Sequence, residues 1–79
     1  MSTSLYYRVE EEKIKGQVLP NGQDAWETLL FIPGVRTTPW GGVLLPEGYV
    51  LSMEHDIFGR WLLEQNVILP EAKREEEWM

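Results

Sequence analysis

The absence of cysteine from a chain of only 79 residues narrows what the chain can fold into more than any other feature. A domain of this length buries only roughly 60% of the surface its unfolded chain exposes, so its core is marginal. Neither disulfides nor thiolate metal sites can make up the deficit. Burial gained against a partner or a second copy is the remaining route. The fold must therefore be a single small unit that spends its apolar residues economically.

The first residues, MSTSLYYRVEEE, hold no basic stretch followed by an apolar run, so no secretory signal is expected there. No apolar stretch approaches the ~20 residues of a membrane span, and the expected location is the cytoplasm, with no membrane partner. Thirteen acidic residues against seven basic ones give a formal net charge of -6. Much of that excess sits in two runs, Glu10-Glu11-Glu12 and Glu75-Glu76-Glu77. Such a surface repels a phosphate backbone, and direct nucleic-acid binding is not expected. Arg8, Lys13 and Lys15 would at most form a small basic face. A hydrophobic content of 43% speaks against global disorder.

Leu5 to Val9 alternates weakly and reads as a strand, and Ile14, Gly16 and Val18 resume a period of two as a second strand. Leu19-Pro20-Asn21-Gly22-Gln23 has the composition of a reverse turn, so a hairpin is expected. DAWETLLFIPG is ambiguous between two patterns. Asp24 and Glu27 have the spacing of a helix capping box, whereas Trp26, Thr28, Leu30 and Ile32 alternate. The turn before it and Pro33-Gly34 after it favour a strand, because they leave little room for a helix of mean length. Val43-Leu44-Leu45 and Tyr49-Val50-Leu51 flank Pro46-Glu47-Gly48 as a second hairpin or tight corner. Ser52 is the expected N-cap of a helix from about Met53 to Gln65, with Met53, Ile57, Phe58, Trp61 and Leu62 at helical spacing and Asn66 as its stop. Gly59 inside that helix costs roughly 1 kcal/mol relative to alanine, which close approach of a strand would explain, as would chance. Val67-Ile68-Leu69 before Pro70 reads as a last edge strand or an apolar strap across the sheet, since proline stops further pairing.

The expected class is α+β: a small twisted antiparallel sheet of about four to five strands with one helix, about 53-65, packed on it. Residues 1-70 form the domain and residues 71-79 a charged, flexible acidic tail.

Catalytic and metal chemistry finds little support. Glu54, His55 and Asp56 are neighbours on a helix, fan out by about 100° each and do not converge on one atom. Trp40-Gly41-Gly42 lacks the lysine and helix start of a phosphate loop. A pair of carboxylates in a cleft would need more interior than this chain has. No cofactor, metal or enzymatic activity is expected.

The positive signal is aromatic. Trp26 and Trp61 lie in patterned segments and read as core. Trp40, between Thr37-Thr38-Pro39 and Gly41-Gly42, either plugs the rim of its own core or anchors an interface with Arg36 and Tyr49 close in sequence. Trp78, behind Glu75, Glu76 and Glu77, reads as a short segment that orders on a basic, grooved partner. The function expected from these features is a non-catalytic protein-binding module whose partner is another protein. Two alternatives stand beside it. One is an acidic decoy that occupies a nucleic-acid-binding protein, and the other is a structural subunit of a homo-oligomer or larger assembly.

Overall fold

The computed structural model describes residues 4-79. Met1, Ser2 and Thr3, which open the stretch read for a signal, lie outside the described residues. The chain forms an antiparallel four-stranded sheet in the order β2-β3-β1-β4, with helices packed on it, and so belongs to the α+β class. Leu5–Val9 is β1. It is central and pairs with β3, Val43–Pro46, on one side and with β4, Ile68–Arg74, on the other. The two-residue strand β2, Arg36–Thr37, adds an edge on β3.

Between β1 and β2 the sequence expectation changes most. No second strand forms over 14-18. Glu11–Lys13 turns as a short 3-10 helix and Ile14 is fully buried behind it. The expected hairpin shrinks to one bridge, Val18 to Asp24, around a turn in which the Leu19 N–H donates to the Gln23 carbonyl. Ala25–Leu30 is a helix, α1, rather than a strand. The Asp24 carboxylate accepts the Glu27 N–H at 2.9 Å, satisfying a donor that has no partner within the helix. Ala25, Leu29 and Ile32 are the buried positions, spaced four and three, so the helical period decides the segment. The alternating set was misleading because Trp26 is only half-buried and Leu30 faces solvent. Lack of room was no obstacle, since α1 needs fewer than two turns.

Tyr49-Val50-Leu51 is likewise not a strand but belongs to α2, Glu47–Leu51. The helix expected from Met53 is broken at its start. Met53–His55 is a 3-10 turn, Asp56 is extended, and α3 runs Ile57–Gln65. Asp56, not Ser52, is the N-cap. Its carboxylate accepts from the Gly59 N–H at 2.9 Å and from the Tyr49 hydroxyl at 2.8 Å, while the Ser52 hydroxyl donates back to the carbonyls of α2. Asn66 stops α3 in the left-handed conformation, φ 55°, as its residue type suggests. Gly59 is explained by close approach, although the neighbour is not a strand. A Cβ there would strike the backbone of Met53.

Pro70 does not end the last strand. β4 continues to Arg74, and the register of β1 with β4 shifts between Tyr7, opposite Ala72, and Val9, opposite Ile68. Two steps on β1 thus meet four on β4. The proline sits in that bulge, where no ladder donor is needed. Residue 70, expected to close the domain, lies inside the sheet, and Glu75–Trp78 follows as a helical turn, α4.

One face of the sheet packs under α1, α2 and α3. The cluster there is aliphatic, including Val9, Leu29, Val43, Leu45, Met53 and Leu62. Trp26 and Trp61 stand on its rim, half-buried, rather than within it. The other face is smaller and carries the candidate site.

Candidate functional site

The TTPWGG stretch is the tip of the β2–β3 hairpin. Opposite residues of an antiparallel pair share a face, so the pairs Arg36 with Leu44, Arg8 with Leu44, Tyr6 with Pro46 and Tyr6 with Lys73 place these side chains together on the second face. Leu44 is fully buried and Tyr6 and Thr38 nearly so. None of the three belongs to the aliphatic cluster under the helices.

Two indoles cover this face. The hairpin tip closes with the Gly41 N–H on the Thr38 carbonyl at 3.0 Å and the Gly42 N–H on the Thr38 hydroxyl at 2.7 Å. Gly41 takes φ 89°, a conformation that costs glycine little. Gly42 is required for another reason: a Cβ there would run into the six-membered ring of Trp40. The two glycines therefore let the chain turn and let the indole lie down on the turn. The Arg8 guanidinium stands 4.7 Å from the Trp40 ring centroid, and the Trp40 N–H donates to the Trp78 carbonyl at 3.3 Å. Trp40 still leaves 48% of its surface in solvent.

Trp78 is half-buried. Its N–H donates to the Tyr6 carbonyl at 2.9 Å, and the Lys73 ammonium lies 4.7 Å from its ring. The acidic run before it is tied down as well. Arg36 approaches Glu75 at 3.8 Å, and Arg74 approaches Glu76 at 3.7 Å and Glu77 at 3.6 Å. A hydrogen bond with the Tyr6 side chain first, and the charge of Glu75 second, raise the pKa of Arg36. Trp40, Arg36, Trp78 and Glu75 are thus brought together, with Glu76 and Glu77 beside them.

Tyr49 is not part of this group. It packs against the aliphatic cluster on the helical side and donates to Asp56. Burial first, and then the Asp56 carboxylate, push its phenol pKa up. The residues missed from sequence are Tyr6, Arg8 and Lys73, which hold the indoles. Their signal was the period of two in β1 and β4, legible only once β4 is known to pass through Pro70.

The charges expected to act as arrays are spent internally. Arg8 lies 3.6 Å from Glu11 and Lys13 lies 3.3 Å from Glu10, while Lys15 stands over the Trp26 ring at 4.8 Å. Five carboxylates of the two acidic runs, those of Glu10, Glu11, Glu75, Glu76 and Glu77, have a cation within 3.3 to 3.8 Å. A phosphate-like row of free charges is not what these runs present. The β4 edge, with its bulge, its proline and the Glu71–Lys73 pair, is poorly shaped for adding another strand. His55 is exposed. Among the described residues no three His, Cys, Asp or Glu side chains group as a metal would need, and no helix is long and apolar enough to cross a membrane. The chain matches no family model, and neither the curated proteins nor the solved structures give a significant match.

Proposed function

We propose that this protein is a small cytoplasmic, non-catalytic binding module that engages another protein through the Trp40 hairpin tip, with Arg36, Trp78 and the Glu75, Glu76 and Glu77 turn around it. The supporting observation is that Trp40 is half in solvent yet already oriented, by Gly42 beneath its ring, by Arg8, and by its bond to the Trp78 carbonyl. Tryptophan and arginine dominate binding energy at protein contacts. An aromatic side chain held in place before contact also loses little conformational freedom on binding. Tyr49, on the other side of the sheet, has no part in this surface.

A photo-crosslinking amino acid placed at position 40, and in parallel at the exposed Gln17, tests the reading in the cells that make the protein. Position 40 should give a discrete protein adduct that position 17 does not, and Arg36→Ala should weaken it. The same adduct pattern from both positions would overturn the proposal.

A further inference from the structure

The helical side of the molecule carries a separate surface that the Trp40 reading does not use. The turn around Pro20, the end of α1 and the outer face of α3 enclose a groove of about 660 Å3. Leu19, Pro20, Ile57, Phe58 and Trp61 supply its apolar lining, with the Phe58 and Trp61 rings stacked at 5.9 Å. A second hollow of about 360 Å3 shares Gln23 and Thr28 with it and extends the depression to Phe31. Ile57 and Phe31 are 80% and 85% exposed, the highest values among the large apolar side chains of the described residues. In a domain so short of interior, leaving these two outside forgoes burial it could use.

The charge around this depression is mostly acidic. Asp24, Glu27, Asp56 and Glu64 line it against a single base, Arg60. An apolar trough with an acidic border is complementary to an apolar ridge flanked by lysine and arginine. It lies among side chains of two helices and a turn, and none of its lining comes from β2 or β4, so it offers an extended peptide no open strand edge to pair with. A second copy is a poor occupant, because the α-helices among the described residues carry only one lysine or arginine, Arg60, and each copy has a net charge of -6.

We infer that this groove receives a basic amphipathic helix from a partner protein, with apolar residues at i, i+3, i+4 and i+7 seated on Ile57, Trp61 and Phe31 and lysines or arginines facing Glu27 and Glu64. Together with the Trp40 surface, this gives the protein two contact faces on opposite sides of its sheet.

The test uses the full chain, isotopically labelled for NMR, and three synthetic peptides. One is a leucine/lysine helix with that spacing, the second replaces every lysine with glutamate, and the third scrambles the leucine/lysine order. The first should bind saturably, shift the resonances of Phe31, Ile57 and Trp61, and bind at least tenfold more tightly than the other two. Phe31→Ser with Ile57→Ser should weaken it at least tenfold. The charge reversal Glu27→Lys with Glu64→Lys, at two exposed positions, should transfer the preference to the glutamate peptide and keeps the test decisive if the serine pair unfolds. Equal binding of the scrambled peptide would overturn the inference, as would shifts confined to Trp40 and Trp78. So would a free protein that sediments as a dimer and becomes monomeric on Ile57→Ser, since a second copy would then hold the groove.

Discussion

On the helical face of the sheet, burial is achieved by aliphatic side chains from Val9 to Val67 that make no directional bonds. On the opposite face, Tyr6, Thr38 and Leu44 are covered by two indoles, each tied by one N–H and one cation. The first arrangement draws on area and close packing, roughly 25 cal/mol per Å2 spread over many contacts. The second draws on a few bonds that can be removed one at a time. A domain with too little apolar material for two cores has built one core and one cover. The cover leaves Trp40 partly in solvent, and the proposed partner contact draws on that exposed part.

Substitutions on the two faces should separate these modes. The largest effect is expected on the helical side at Gly59, where a methyl group must displace the Met53 backbone rather than a flexible side chain. Gly59→Ala should cost about 3 kcal/mol in urea unfolding, opposite in sign to the gain alanine usually brings inside a helix. Trp78→Ala comes next, at about 2 kcal/mol. It removes the bond to Tyr6 and uncovers that face, and Trp40 emission should shift to the red as its carbonyl partner moves. If Trp78→Ala left both stability and Trp40 emission unchanged, the cover would be no more than an apposition of surfaces.

Arg8→Ala should cost less, about 0.5 kcal/mol. The Arg8 Nε and the Glu11 Oε2 are buried without hydrogen-bond partners, so part of what the arginine gains over Trp40 is already offset by desolvation. Tyr49→Phe should matter least at neutral pH and show itself in alkali. The folded protein holds the Tyr49 proton more tightly than the unfolded chain does, so the stability this group adds is present below pH about 10 and declines as pH rises above that. Replacement by phenylalanine should flatten that decline in a series of urea titrations at increasing pH.

Several of these features were legible in the sequence. The strands β1 and β3, the left-handed stop at Asn66 and the α+β class follow from alternation, residue type and element order. The helices α1 and α2 did not, because a helix of five or six residues shows too little of its period to outweigh an alternating pattern beside it. Asp24 and Glu27 carried the deciding signal in α1, since a carboxylate that satisfies an N-terminal N–H is a local interaction independent of length. Asp56 was harder to read. Its neighbours Glu54 and Ser52 suit a helix start equally well by residue type, and only the demand of the Tyr49 hydroxyl and the Met53 contact at Gly59 places the break. As for the candidate site, Trp40 stood out from its proline and glycines, but its association with Trp78 depends on β4 passing through Pro70. A proline that sits in a bulge cannot be told from one that ends a strand without knowing the partner's register.

The pairing of Leu5 with Arg74 at one end of the β1–β4 ladder bears on how the molecule is made. During synthesis β1 leaves the ribosome well before β4 and has β3 on one flank, but its other flank stays open until β4 has been translated. Such long-range closure is slow relative to local helix formation, and an open strand flank invites pairing with other nascent chains. Fusing a ribosome-stalling sequence directly after Pro70 and then at increasing distances should show β1 protected from proteolysis only once Arg74 has cleared the exit tunnel.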